Sequence, residues 1–181
     1  MTRYVALLRG INVSGQKIIP MAELKRMFEG MRCSNVSTYI QSGNVIFDST
    51  ATSRAKLEAS IQKDLSKTLG YHVDVILRTM NAMTTLVSTD PFAGKELAGQ
   101  SKGYITFIQT EPEKEMVLPF ISAKNEITIY GRSGLDLFCL SHPLPNGTWG
   151  FPNAIVEKVF SIRATTRNWN TVSTIVKKFA K

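Results

Sequence analysis

The sequence has few residues of the types that bind metal ions or form disulfide frameworks. Two of its 181 residues are cysteines and two are histidines, and Cys33 and Cys139 are 106 positions apart. No Cys-x-x-Cys pair occurs. A zinc site or a disulfide scaffold therefore has little support, and we expect two reduced thiols. The sequence predicts no metal site and indicates no particular cofactor.

Long hydrophobic runs are also missing. No apolar stretch approaches the roughly 18 residues that a transmembrane helix needs. The stretch Met1–Gly10 has too short an apolar core for a signal peptide and lacks a small-residue cleavage site, so it is typical of a first strand. We expect no membrane partner and a cytoplasmic protein.

The positive charge is not gathered in a tail or a run. The net charge is +8 and the sequence pI about 9.6, which raises the question of nucleic-acid binding. Residues 1–90 and 91–181 each hold 11 Lys+Arg and 7 Asp+Glu, giving +4 in each half. Charge spread in this way favours polyanions only weakly.

The first 80 residues predict strands and helices in the order β-α-β-β-α-β. Apolar spacing and turn residues indicate the elements. They are a strand at Arg3–Arg9, a helix from Pro20, strands at about Asn35–Gln41 and Asn44–Asp48, a helix from the N-cap Ser53 to Gly70, and a strand at His72–Arg78. This order is that of a ferredoxin-like domain, in which two helices cover one face of an antiparallel sheet.

The second half repeats much of this order without a sequence repeat. We expect a helix near Asn81–Ser88 and then a linker, followed by the strand Lys102–Gln109 and a helix at Glu111–Ser122. A hairpin comes next, made of Glu126–Tyr130 and Leu135–Leu140 across Gly131–Gly134. The last predicted elements are a helix at Asn153–Phe160, a short strand at Ile162–Thr166 and a helix at Asn168–Phe179. The predicted fold is α+β, with two ferredoxin-like subdomains, antiparallel sheets and a C-terminal helix. The predicted divisions are 1–80, a helix and linker at 81–101, and 102–181.

Three polar segments stand at the ends of predicted strands or helices. Their Arg, Asn, Gln and Gly residues could bind a ligand by hydrogen bonds and by the planar fork of arginine, which suits phosphate and carboxylate groups. The candidate ligand-binding residues are Arg9, Gly10, Asn12, Gln41, Ser42, Asn44, Arg167, Asn168 and Asn170.

Each segment also has a structural interpretation. Arg9 could pair with an acidic residue, and Ser42 and Asn44 could bond their own backbone in a hairpin corner. Asn168 could cap the terminal helix. Asp74 lies in an apolar strand and is expected to pair with a cationic side chain rather than to act as a general base.

Several motifs along the chain together resemble one family. They are Leu8-Arg-Gly-Ile-Asn-Val13, Met21-Ala-Glu-Leu24, Thr38-Tyr-Ile-Gln-Ser-Gly-Asn-Val45, Arg78-Thr79, Asp90-Pro-Phe92 and Thr166-Arg-Asn-Trp-Asn-Thr-Val172. The chain is similar to the DUF1697 family of uncharacterised bacterial proteins. Ser14 departs from the family pattern, which usually has a second glycine beside Gly15. The resemblance implies an α+β fold and implies no activity.

Three functions stay open on the sequence. The first is binding of a small anionic or nucleotide-like ligand at the polar segments, with or without catalysis. The second is nucleic-acid binding through a basic face, and the third is a structural or protein-interaction module. Catalytic residues are not indicated, and the Gly10–Gly15 stretch lacks the Lys-Ser/Thr that a Walker loop requires.

Overall fold

A computed structural model describes residues 1–13, 15, 17–95, 97 and 101–181. The chain has two compact units, the first made of residues 1–84 and 178–181 and the second of residues 85–177. The predicted linker falls partly on residues 96 and 98–100, which lie outside the described residues. Between them the described elements form an α+β fold with two antiparallel sheets, of four and five strands, and five helices.

The described residues in the first part of the chain form four strands and three helices. They are β1 (Thr2–Leu8), α1 (Met21–Gly30), β2 (Ser34–Tyr39), β3 (Asn44–Ser49), α2 (Arg54–Leu69), β4 (Val75–Thr79) and α3 (Met80–Ser88). The strands pair in the order β2-β3-β1-β4, and every pairing is antiparallel. The predicted β-α-β-β-α-β order of elements is therefore confirmed for residues 1–80.

One face of this sheet forms a core with α1 and α2. The side chains of β1 alternate, so Tyr4, Ala6 and Leu8 face the helices. The helices contribute residues at helical spacing, Leu24 and Phe28 from α1 with Ile61 and Leu65 from α2. The two helices therefore lie on the same side of the sheet.

Helix α2 begins and ends where the sequence predicts. The Ser53 side chain accepts a hydrogen bond from the backbone N–H of Lys56 at 3.4 Å, which satisfies one of the free donors of the first turn. Gly70 ends the helix in the left-handed conformation (φ 75°), and its N–H donates to the carbonyl of Ser66 at 3.0 Å.

The second part of the chain contains five strands and two helices. They are β5 (Lys102–Ile108), β6 (Phe120–Ile121), β7 (Ile127–Ser133), β8 (Asp136–Ser141), α4 (Pro152–Phe160), β9 (Ala164–Asn168) and α5 (Trp169–Phe179). The strands pair in the order β6-β7-β8-β5-β9, again antiparallel throughout. Helix α4 packs on one face through Val156, which lies in a core with Ile129 and Cys139.

The helix predicted at Glu111–Ser122 is wrong. The structure has an irregular stretch there, followed by the two-residue edge strand β6. Pro119 has no backbone N–H to donate and cannot continue a helix. Phe120 and Ile121 instead pair with Ile129 and Thr128 of β7.

The hairpin turn is also placed differently from the prediction at Gly131–Gly134. Strand β7 continues to Ser133, which pairs with Asp136, so the turn consists of Gly134 and Leu135. Gly134 has the positive φ (53°) that a tight turn needs. Gly131 lies inside the strand, where a β-carbon would be 3.2 Å from the ring of Phe138.

Candidate functional site

The loop after β1 is attached to the β2–β3 corner by the side chain of Asn12. Its amide nitrogen donates to the carbonyls of Gln41 (2.8 Å) and Ile19 (3.1 Å), and its oxygen accepts from the N–H of Ile19 (2.7 Å). These bonds bring two of the three predicted polar segments together in the first unit. Because its amide group is used in this way, Asn12 acts in the structure as a connector of loops.

The buried side chain of Asn44 stabilises the β2–β3 corner through hydrogen bonds. The side chain is fully buried and its amide nitrogen donates to the carbonyl of Tyr39 at 2.9 Å and to the hydroxyl of Ser42 at 3.0 Å. Gln41 and Ser42 are exposed at the tip of the corner. The structural interpretation of Asn44 and Ser42 therefore agrees with their contacts, while ligand binding by Gln41 stays a prediction.

Gly43 is required at this corner by both conformation and space. Its φ is 76°, and a β-carbon there would lie 2.7 Å from Cδ1 of Ile11 and 2.9 Å from Cβ of Leu8. The backbone N–H of Leu8 donates to the Gly43 carbonyl at 2.8 Å. The corner is thus packed directly against the end of β1.

Arg9 follows β1 and forms an ion pair with Asp74. Its Nη1 lies 3.4 Å from Oδ2 of Asp74, and its backbone N–H donates to the Asp74 carbonyl at 2.9 Å. The imidazole Nε2 of His72 lies 2.8 Å from Oδ1 of the same carboxylate. The expectation that Asp74 pairs with a cationic side chain is confirmed. The Arg9 side chain keeps 31% of its surface exposed, so it can also reach a molecule in solution.

Lys17 lies beside the same segment. Its Nζ donates to the carbonyl of His72 at 3.4 Å and lies 5.3 Å from the centre of the Tyr71 ring. We name Arg9, Lys17, His72 and Asp74 the Arg9 corner. Gly10, next to Arg9, is exposed, and a β-carbon on it would meet no atom within 4 Å. The backbone at this point is therefore open to a close approach.

The third predicted segment lies in the second unit and is tied to its own neighbours. Arg167 is 6% exposed, and its Nη1 donates to the hydroxyl of Thr165 at 2.8 Å and the carbonyl of Thr166 at 2.9 Å. Burial lowers the pKa of its guanidinium to about 10, so the group is charged at neutral pH. The Asn168 side-chain oxygen accepts from the N–H of Asn170 at 2.9 Å, as a helix cap does. Ligand binding by these three residues stays a prediction.

Sequence reasoning did not include Lys17 and His72 among the site residues. Lys17 lies two positions after Gly15, the last residue of the Gly10–Gly15 stretch, and therefore outside the predicted polar segment. His72 begins a different predicted strand. Only the antiparallel pairing of β1 with β4, with Leu8 opposite Val75, brings the segment before β4 beside the end of β1. The predicted ferredoxin-like order implies that β1 and β4 are neighbours, but the sequence does not give the register of their pairing, which decides which residues lie together.

A cleft of about 510 Å³ lies at the other end of β1, beside Arg3. Its volume is that of a small-molecule pocket. The Arg3 guanidinium, however, already donates to Asp48 at 2.9 and 3.2 Å and to the carbonyls of Phe179 (3.0 Å) and Lys181 (2.7 Å). The hydrogen bonds between Arg3 and Asp48 hold the pKa of Asp48 below its usual range and raise that of Arg3. Arg3 and Asp48 are thus engaged with each other.

The described part of the chain holds neither a metal cluster nor a membrane-spanning helix. No three His, Cys, Asp or Glu side chains within it come together as metal ligands would. None of its helices combines the length and apolar character that crossing a membrane requires.

Comparisons with known proteins agree with this architecture. A model of the family described as "Protein of unknown function (DUF1697)" matches residues 1–134. Among solved structures, the conserved bacterial protein SP0830 from Streptococcus pneumoniae is similar over 97% of both chains, with a TM-score of 0.69 and 22% identity. At that identity the likeness concerns the fold. No curated protein matches the sequence. Because the family model covers well over half of its residues, the chain belongs to the DUF1697 family.

Proposed function

We propose that the protein binds a small anionic ligand, such as the phosphate group of a nucleotide-like molecule, at the Arg9 corner. The proposal is carried by one observation. Arg9 and Lys17, from the two ends of a glycine-containing loop, both contact the short segment from His72 to Asp74. Two cations and an imidazole therefore share a surface with a single carboxylate.

The chemistry of the corner favours an anion over a cation. Asp74 already accepts from Arg9 and lies within hydrogen-bond distance of His72, so its carboxylate is largely satisfied. The hydrogen-bond donors are more accessible than the carboxylate, since the Arg9 side chain is 31% exposed and that of His72 65% exposed, against 11% for Asp74. An incoming phosphate or carboxylate would accept charge-assisted hydrogen bonds from Arg9 and Lys17.

The backbone around Arg9 supports close approach of such a ligand. Gly10 and Asn12 both have positive φ (65° and 53°), so the chain turns sharply after β1. Asn12 holds this turn against the β2–β3 corner through its bonds to Ile19 and Gln41. The turn at residues 10–12, held in this way, would lose little conformational freedom on binding, which favours affinity.

Ligand binding can be tested by thermal unfolding with inorganic phosphate, adenosine monophosphate, ribose 5-phosphate and citrate, each at low and high salt. A ligand present at about 100 times its Kd should stabilise the protein by roughly 2.7 kcal/mol. Arg9→Ala should abolish the shift and Arg9→Lys should retain part of it. Arg26→Ala, which removes an exposed arginine from α1, is the matched control and should leave the shift intact.

Two results would contradict ligand binding at the Arg9 corner. If Arg9→Ala lowers the stability of the protein and leaves the ligand-induced shift unchanged, Arg9 is a structural residue and the proposal is wrong. If none of the four compounds shifts the unfolding temperature of the unmodified protein, the corner does not bind phosphates or carboxylates of these classes.

At the level of the fold, we infer that both units are ferredoxin-like. The strand order β2-β3-β1-β4 in the first sheet corresponds to β7-β8-β5-β9 in the second, with β6 added at the edge. In this interpretation, the irregular stretch after β5 replaces the first helix of the second unit.

A further inference from the structure

The positive charge of the chain belongs almost entirely to the first unit. Residues 1–84 and 178–181 hold 13 lysines and arginines against six aspartates and glutamates, a formal charge of +7. Residues 85–177 hold nine against eight, a formal charge of +1. A division at residue 90 hides this asymmetry, because the last four residues of the chain belong to the first unit and add two lysines to it.

Part of this charge forms a stripe along one side of α2. Lys56, Lys63 and Lys67 are all exposed. At 3.6 residues per turn they fall within an arc of about 40° and span roughly 16 Å along the helix. We name these three residues the α2 lysine stripe. The exposed residues around it include Ala55, Ala59 and Ser60, whose short side chains leave the ammonium groups as the most prominent feature of the surface.

The acidic residues of α2 do not lie on this stripe. Glu58 is 5% exposed, and its Oε2 accepts from the backbone N–H of Leu77 at 2.8 Å and lies 3.6 Å from Nη1 of Arg54. Asp64 lies beside the stripe, about 60° around the helix from Lys67 and 80° from Lys56. Among the described residues, no carboxylate forms an ion pair with the three lysines. Because Ile61 and Leu65 occupy the core side, the stripe points away from the sheet.

We propose that the α2 lysine stripe binds the phosphate backbone of double-stranded DNA without sequence preference. Charge complementarity selects a polyanion, since three cations at the spacing of one and two helical turns can each neutralise a phosphate. A duplex fits better than a single strand because the stripe holds no aromatic side chain on which an unpaired base could stack. B-form DNA is chosen over duplex RNA because its wide major groove admits a helix, whereas that of RNA is too narrow for side chains.

The α2 lysine stripe shares no residue with the Arg9 corner, and the proposal does not depend on ligand binding there. It also does not use the open sheet face of RNA-recognition domains. On the face of the first sheet away from α1 and α2, Val5, Leu7 and Ile46 are buried. Tyr39 of β2 lies on the same face and its ring packs against that of Phe179, so these side chains form no open platform on which bases could stack.

The size of the effect follows from counterion release. Three phosphate contacts predict a slope of log K against log salt of about −2.7, which is roughly a 40-fold loss of affinity between 50 and 200 mM salt. The measurement is fluorescence anisotropy of the full chain with two unrelated 20-base-pair DNA duplexes over this range. The two duplexes should give equal affinities.

The decisive variant is the triple change Lys56→Gln, Lys63→Gln and Lys67→Gln. It should weaken binding at 50 mM salt and bring the slope close to zero, and each single change should reduce the slope by about 0.9. The matched control changes three exposed lysines of the second unit, Lys114, Lys124 and Lys158, to Gln. It removes the same charge and should leave the affinity and the slope unchanged. Arg9→Ala should also have no effect on DNA binding, which separates this proposal from the previous one.

Several outcomes would overturn the proposal. The first is that neither duplex binds at 50 mM salt, and the second is that the triple variant keeps an unchanged slope. The third is that the control variant loses as much DNA affinity as the triple variant, which would show that only net charge matters. Tighter binding to a single strand or to duplex RNA than to duplex DNA would also overturn it. The proposal would also be wrong if the protein bound vesicles containing 30% phosphatidylserine and the triple variant lost vesicle binding while keeping DNA binding.

Discussion

Arg78 and Arg167 occupy equivalent positions in the two units. Each is the next-to-last residue of the strand that precedes a helix, β4 before α3 and β9 before α5. Each is 6% exposed, and each donates from Nη1 to the carbonyl of the residue before it, Leu77 at 3.0 Å and Thr166 at 2.9 Å. Their cross-strand neighbours also match, since Val5 lies opposite Arg78 and Ile105 opposite Arg167.

Replacement of either arginine by lysine should destabilise the protein by about 1–3 kcal/mol, because a lysine lacks the fork that reaches these carbonyls and its ammonium would be buried. Urea unfolding of Arg78→Lys and Arg167→Lys measures the effect. Arg163→Lys, at an exposed position one residue before β9, is the control and should change stability by less than about 0.5 kcal/mol. Equal stability of all three variants would show that the fork is not needed.

Gly43→Ala should cost about 2–4 kcal/mol of stability, because the alanine would adopt a positive φ and its β-carbon would overlap Ile11 and Leu8. Gly70→Ala offers a matched comparison. Its φ is nearly the same, 75° against 76°, and no atom lies within 4 Å of a β-carbon there, so only the conformational cost of about 1 kcal/mol applies. Chemical denaturation of both variants separates the two contributions. Similar losses at the two positions would mean that packing at Gly43 does not matter.

The ion pair of Arg3 and Asp48 should make stability depend on pH in the acid range. Hydrogen bonds from Arg3 hold the pKa of Asp48 below its ordinary value of 3.8. The carboxylate therefore contributes stability above pH 3.8, and this contribution is lost as the pH falls through and below that value. Asp48→Asn should lower stability by about 1–2 kcal/mol at pH 7 and by much less near pH 2. Unfolding at several pH values would contradict this if the difference between the two proteins were constant.

Both thiols should be unreactive in the folded protein. Burial raises the pKa of Cys33 to about 11 and that of Cys139 to about 12, so neither forms an appreciable thiolate at pH 8. A thiol reagent at pH 8 should therefore label the native protein slowly and label two thiols per chain in guanidinium chloride. Rapid labelling of one thiol in the native state would show that its surroundings open readily.

The elements that the sequence predicted well are those determined by neighbouring residues. Ser53 and Gly70 mark the ends of α2 through a cap and a left-handed glycine, and both signals act within four residues. The structural interpretation of Asn44 was available for the same reason, since its partners Tyr39 and Ser42 are near in sequence. Local physical chemistry was sufficient for these features.

The features that could not be predicted depend on distant residues. Pro119 is a local signal against the predicted helix at its C-terminal end, but the strand formed by Phe120 and Ile121 depends on the presence of β7 beside them. Lys17 and His72 are brought to Arg9 by the pairing of β1 with β4. The charge asymmetry was concealed because residues 178–181 belong with the beginning of the chain. In each case the missing information is a long-range contact.

The bonds from Arg3 to the carbonyls of Phe179 and Lys181 have a consequence for synthesis in the cell. A ribosome that has completed residue 84 needs roughly 5–20 s more to reach residue 181. During that interval the first unit exists without four of its own residues, and the ring of Tyr39 has not yet met that of Phe179. The strands of the first sheet are complete by residue 79, but the contacts that residues 178–181 make with Arg3 and Tyr39 form only after those residues have been translated. The nascent chain would most need a chaperone during this interval.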